Sequence, residues 1–294
     1  MSSNKRRSRR RRRQRQLRII YTSIVLLVVA ITALAVGSTL HSNQKKNDQK
    51  RAAKAAEIAA EEQAIADKRA AIRDAEAIAG TYDYDGAIAL LQQQEHYDTD
   101  TELINAIAKF TASKSMLEAK DPLTVPHIFY HSLIVDTNRA FDTAKWGEET
   151  VGGINAWMTT IEEFDKITQQ MYDNGWILVR MRDLVTETTD EDGTVHLKQN
   201  RSLLLPADKH PYVLSIDDWS YYHSYEGKGY GDKAVLDENG EVKIQYTDAN
   251  GNVDVGDYDV VPRLNDFIRE HPDASYKGAR GLIAMTGYNG VFGY

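Results

Sequence analysis

A run of 22 residues without a charge, at positions 19–40, does most to limit what this chain can fold into. Ile, Val, Leu and Ala dominate it, and as a helix it is long enough to cross about 30 Å of hydrocarbon. Ahead of it, residues 1–18 carry ten Lys or Arg and no acid. Standing alone, such an arginine run would suit phosphate neutralisation. In front of an apolar span it is the flank that stays in the cytoplasm. The expectation is a basic cytoplasmic tail (1–18), a transmembrane helix (19–40) and an extracellular remainder at the plasma membrane, with no nucleic-acid partner. A cleavable signal peptide is the competing reading, with Ala33-Leu34-Ala35 as the cleavage site, but the apolar run exceeds the ~7–15-residue core of such signals.

The charge balance agrees with this division. Ten of the 36 basic residues sit in the tail, leaving 26 against 43 acidic residues in the rest, a net of −17. With no cysteine there is neither a disulfide framework nor a Cys-ligated zinc site.

Residues 41–80 are rich in Ala, Glu, Lys, Arg and Gln, strong helix formers, and predict a helical stalk. Ile58, Ile65, Ile72 and Ile78 recur at near-heptad spacing, one thin seam along it. Two readings stand: a solvated spacer helix, or weak pairing with a second copy that would make a homo-oligomer. Residues 81–121 predict two short amphipathic helices in an α-hairpin neck of the tetratricopeptide type. A single hairpin cannot bury its own face, so a repeat array is not expected.

Pro122 and Pro126 mark a boundary, after which strands and helices alternate as in an α/β domain. Strands are expected around 125–133, at 176–179, 211–217 and 281–286. A helix is expected over 158–175, with Thr159 or Thr160 as N-cap and Gly175 at its end. A second is expected over 259–271, with Pro262 tolerable only in its first turn. The acidic stretch through Asp192-Gly193 reads as a surface loop. Between about 227 and 259, Asn239-Gly240 and Asn250-Gly251 separate alternating runs, the mark of an antiparallel hairpin insertion.

The strand at 211–217 alternates Tyr212, Leu214 and Ile216, then stops on two acids, Asp217 and Asp218. Carboxylates at the C-terminal end of a parallel strand sit where an α/β barrel keeps its chemistry. One acid is free to bind a metal while the other works as a base. Capping of the next turn is the alternative role for the pair.

Four blocks, Val-Pro-His-Ile-Phe-Tyr-His-Ser-Leu at 125–133, Met-Thr-Thr-x-Glu-Glu-Phe at 158–164 in outline, Asp-Asn-Gly-Trp-Ile-Leu-Val at 173–179 and Ser-Ile-Asp-Asp at 215–218, stand in the order and rough spacing of NodB-type polysaccharide deacetylases, carbohydrate esterase family four. Residues 122–294 resemble that family. The resemblance implies a distorted (β/α) barrel, one divalent metal, usually zinc, and removal of N-acetyl groups from amino sugars. It implies Asp217 as the base, Asp218 as a metal ligand and His131 at the floor of the site. Two departures stand out. Trp219 occupies a place where the family commonly has Gly, and with Tyr221 and Tyr222 it is a candidate sugar-binding residue. The family's two metal-binding histidines, downstream of the acids, have no counterpart, since only His223 and His271 come after the acids and they lie far apart. His127 and His131 have four-residue spacing but lie upstream.

Four barrel strands fall short of the seven or eight of a closed barrel. The expectation is therefore a partial barrel behind a membrane helix and an all-α stalk and neck, a fragment whose activity needs histidines beyond Tyr294. Two functions are consistent with it: a cell-surface, metal-dependent deacetylase acting on peptidoglycan or exopolysaccharide, or a non-catalytic surface protein that binds glycan or a partner. Protease added to intact cells should digest residues beyond His41 and spare the arginine tail; protection of the acidic part would overturn the orientation.

Overall fold

The computed structural model describes residues 3–288 and 290–294, with side chains from Arg15 onward. The first two residues of the basic tail, and its side chains as far as Gln14, lie outside the described residues. The remainder forms two compact units, one up to Arg69 and one over Ala70–Tyr294.

A single helix, α1 (Ser3–Gly80), contains the uncharged run and is long and apolar enough to cross a membrane by length and composition. Thr22, Thr32 and Thr39 interrupt the run without leaving a polar group unpaired. Each hydroxyl donates to carbonyls three and four residues back, at 2.9–3.1 Å, as a helix in an apolar medium requires.

The second unit begins inside α1, at Ala70. Helices α2 (Tyr84–Gln92) and α3 (Thr101–Ser115) form the expected hairpin, and Asp83 and Asp100 cap them by accepting backbone N–H groups. The face the hairpin cannot bury alone is covered by the last turns of α1. Ala71, Ala75 and Ala79 pack with Ala87, Leu91, Leu103 and Phe110 into one core. The isoleucine seam therefore divides: Ile72 and Ile78 pack on this core, while Ile58 and Ile65 stay exposed.

Tyr82 joins the neck to the α/β body. Its ring is buried with Ile177, Val179, Leu205, Val213 and Tyr276, and its hydroxyl donates to the Asp273 carbonyl at 3.0 Å. The Lys277 N–H bonds the Thr81 carbonyl at 2.8 Å nearby. Neck and body thus share a core.

In the body, β1 (Glu118–Ala119) and β2 (His127–Tyr130) precede three short helices, α4 (Thr137–Ala140), α5 (Thr143–Trp146) and α6 (Glu148–Trp157). Then come α7 (Ile161–Asp173), β3 (Trp176–Leu178), β4 (Val185–Thr189), β5 (Val195–Gln199), β6 (Leu204–Leu205) and β7 (His210–Asp217). Strands β8 (Lys233–Leu236), β9 (Val242–Thr247) and β10 (Val253–Gly256), helix α8 (Val260–Glu270) and β11 (Leu282–Ala284) complete the chain. Helix α7 opens with a capping box between Thr160 and Glu163. Pro262 sits in the first turn of α8, where its missing N–H costs nothing.

β7 is the centre. Three strands run parallel to it: β3 beside its first residues, β2 with Phe129 opposite Ser215, and β11 with Ala284 opposite Asp217. The four strands expected from the sequence all form, in one mixed α/β unit. One face of the sheet carries Tyr130, Leu214 and Ile216 and is covered by Phe164 of α7 and by Leu264 and Ile268 of α8. Tyr130 meets Phe164 edge to face at 5.1 Å, a favourable aromatic geometry. The other face is covered only toward the start of β7; further along, Phe129 is 53% and Leu282 49% exposed.

The insertion is a three-stranded antiparallel sheet, β8-β9-β10, rather than one hairpin. Its two connections repeat one device. Asp237 and Asp248 each accept two backbone N–H groups across the turn, and Gly240 and Gly251 take the left-handed conformation there, φ 79° and 83°. The acidic stretch expected as a loop is the tip of a hairpin, β4 with β5. Its residues are exposed on both faces apart from half-buried Val185, and only Val195 and Leu197 alternate, too short a pattern to announce it. Helices α4 to α6 carry no clear period either; α4 and α5 are one-turn helices held by Asp136 and Asp142 caps.

Because Tyr82 anchors the neck in the core of the body, Tyr82→Ala should destabilise the second unit by about 3–5 kcal/mol. Tyr82→Phe, which loses only the bond to Asp273, should cost about 1 kcal/mol. Urea unfolding followed by near-UV circular dichroism measures both.

Candidate functional site

At the C-terminal end of β7 the chain turns sharply. Asp217 is the last strand residue and accepts the Asp218 N–H on Oδ1 at 3.1 Å. Asp218 leaves the strand with φ 51°, the Ser220 N–H folds back onto the Asp218 carbonyl at 2.7 Å, and Tyr221 comes next with φ 53°. Two side-chain-bearing residues in the left-handed region within four positions store strain, which persists only where surroundings over-determine it.

The surroundings do so through one buried carboxylate. Asp259, 1% exposed, accepts the Trp219 indole N–H at 3.1 Å and the Tyr221 hydroxyl at 2.7 Å on Oδ2. On Oδ1 it accepts the backbone N–H groups of Leu133 at 3.0 Å and Val260 at 2.7 Å. The indole also donates to the Tyr221 hydroxyl at 2.9 Å. Burial holds the Asp259 carboxyl above the usual carboxylate range against these bonds, which favour its charged form. The Tyr221 phenol is pushed well above its usual range, by burial first and then by Asp259. From the other side, Phe292 packs on the Trp219 ring at 5.0 Å and the Gly293 N–H bonds the Ser220 carbonyl at 3.0 Å.

This corrects the expected sugar platform. Trp219 and Tyr221, 3% and 5% exposed, are core residues that hold the turn, and Trp219 also lines an apolar pocket with Val235, Phe292 and Tyr294. Asp218 itself takes the left-handed conformation that makes the turn, and the next residue is a buried indole. Tyr222 does reach the surface. It is half-buried, shares a 2.7 Å hydrogen bond with Thr286 Oγ1 just beyond β11, and meets Tyr225 and Tyr288 edge to face at 5.7 and 5.9 Å.

His131 comes directly after Tyr130, which pairs with Ile216, so the register brings it to the level of Asp217 at the same end of the sheet. Its Nδ1 lies 3.2 Å from the Trp157 carbonyl and its ring meets Phe129 edge-on. Beside it, the buried Ser132 hydroxyl has no hydrogen-bond partner among the described residues. The other histidines lie elsewhere. His127 shares a 2.8 Å bond with Ser215 Oγ on the sheet face, His223 pairs with Glu226, and His271 packs against Tyr172 and Phe267.

Among the described residues no three His, Asp or Glu side chains converge as a metal-holding group. Asp217, Asp218 and His131 share one end of the sheet without making the three-ligand set usual at catalytic zinc. The residues present therefore do not fit a complete metal site. No family model matches the chain, and neither curated proteins nor solved structures supply a match.

Asp259 is the residue that sequence reasoning missed. It stands where an N-cap for α8 belongs, and it does cap that helix through Val260. Its second oxygen, aimed at a turn some forty residues earlier, leaves no trace in spacing. Asp259→Ala would strand several buried donors at about 1–3 kcal/mol each, so it should destabilise the body by at least about 3 kcal/mol. Asp259→Asn, which keeps part of the acceptor set, should cost less. Urea unfolding measures the loss, and a shifted Trp219 indole N–H resonance in the Asn variant reports the broken bond directly.

Proposed function

We propose that this chain is a membrane-anchored, cell-surface hydrolase of the polysaccharide deacetylase type, removing N-acetyl groups from a polymer such as peptidoglycan or exopolysaccharide. The observation that supports it most is the Asp217–Asp218 pair at the carboxyl end of the central parallel strand, with His131 at the end of the neighbouring one. Ligands of open α/β sheets bind at that end. In this reading residues 19–40 anchor the protein, the arginine tail stays in the cytoplasm and the α/β body faces outward. Asp217, at the mouth of the sheet, is the proton acceptor, and Asp218 is a ligand to a divalent metal, zinc by the resemblance. Among the described residues no three His, Asp or Glu side chains group at Asp218, and in this reading further ligands complete the site. The incomplete ligand set favours, as a second reading, a glycan-binding surface protein without chemistry.

The reading is tested on the two acids separately. The chain as it stands should bind zinc weakly and release no acetate from N-acetylglucosamine oligomers; tight, stoichiometric zinc would overturn the incomplete ligand set. Once the missing ligands are supplied, Asp218→Ala should lose metal and activity together. Asp217→Asn should keep its metal while acetate release falls by about 10²–10⁴-fold, the usual contribution of a general base. Unchanged acetate release in both variants would reduce the pair to a turn cap and end the deacetylase reading.

A further inference from the structure

Three tyrosines crowd the mouth of the sheet next to the acids. Tyr222 stands between Tyr225 and Tyr288, its hydroxyl tied to Thr286, while the far side of Tyr225 stacks on Tyr230 at 4.8 Å and 24°. Tyr230 is buried, so the row is rooted in the core; Tyr288, 74% exposed, is its outer end. Asp218 stands four residues before Tyr222, in the turn that follows β7. Rings fixed by one another lose little freedom when a ligand arrives. Tyr combines an apolar ring with a wet polar tip, which suits a ligand with apolar faces and a hydroxyl rim. The charges at this end, Asp217 and Asp218, admit a neutral ligand and repel an anionic one.

We propose that Tyr222, Tyr225 and Tyr288 form a carbohydrate subsite, taking the apolar faces of pyranose rings in a neutral amino-sugar polymer and leading it toward Asp218. The proposal deepens the deacetylase reading, on which it rests for the choice of sugar. It replaces the buried Trp219 and Tyr221 with rings that reach the surface. Binding here requires neither metal nor turnover.

The test uses the full chain in detergent with a metal chelator present, titrated with a linear hexamer of N-acetylglucosamine by calorimetry. The unaltered chain should bind. Tyr288→Ala, at an exposed position with no part in the core, should weaken binding about tenfold, the equivalent of roughly 1.4 kcal/mol. Tyr222→Phe keeps the ring and should stay within about threefold of the unaltered chain. Tyr225→Ala should match Tyr288→Ala, with near-UV circular dichroism confirming that loss of the stack on Tyr230 has not unfolded the chain. No binding by the unaltered chain, or equal binding by Tyr288→Ala, overturns the subsite. The two ideas fail separately. Tyrosine-dependent binding without acetate release once metal ligands are supplied would leave a glycan-binding surface and remove the enzyme. Acetate release indifferent to Tyr288 would keep the enzyme and remove the subsite.

Discussion

A buried carboxylate is the constraint on which the arrangement of the α/β body turns. Charge is expensive inside a protein unless hydrogen-bonded donors surround it, and Asp259 gathers four, from Leu133, Val260, Trp219 and Tyr221. They come from three parts of the chain: the segment after β2, the start of α8 and the turn after β7. One side chain therefore sets the relative position of the His131 segment and the two acids. It also explains how the turn tolerates left-handed residues at Asp218 and Tyr221, since the cost of the backbone is set against bonds that form only in that conformation.

β7 supplies the other half of the geometry. Paired in parallel with three strands and buried along most of its length, it is too well held to slide, so its last residue has a fixed address. Chemistry at such a strand end gains rigidity from the sheet and reach from the loop. Asp217 belongs to the sheet and Asp218 to the loop, which gives adjacent residues of identical chemistry different surroundings. That difference is the structural basis for the separate roles proposed for them.

Much of the fold was legible because its elements carry local signals. Period-2 alternation marked β7, Thr160 and Glu163 marked the start of α7, and two Asn-Gly pairs marked the turns of the inserted sheet. What stayed hidden lacked such a signal. The β4–β5 hairpin buries almost nothing, its few apolar residues Val195 and Leu197 being exposed, and α4 and α5 are too short for a period to show. At the site, the acids were legible as a pair and their position at the sheet's end followed from the strand. Whether an aromatic beside them faced water or core was not legible, because Trp219 and Tyr221 face inward for the sake of a carboxylate far along the chain. Tyr288 became a neighbour of Tyr222 only through the pairing of β11 with β7.

The same pairing has a consequence for how the protein is made. β7 takes partners from before it and after it in the sequence, and of these partners β11 is made last. At roughly 5–20 residues per second, the stretch from Asp217 to Ala284 takes several seconds to synthesise. During that interval the second half of β7 has a bare edge, open to pairing with the wrong strand. Sequence separations of this size also make loop closure slow.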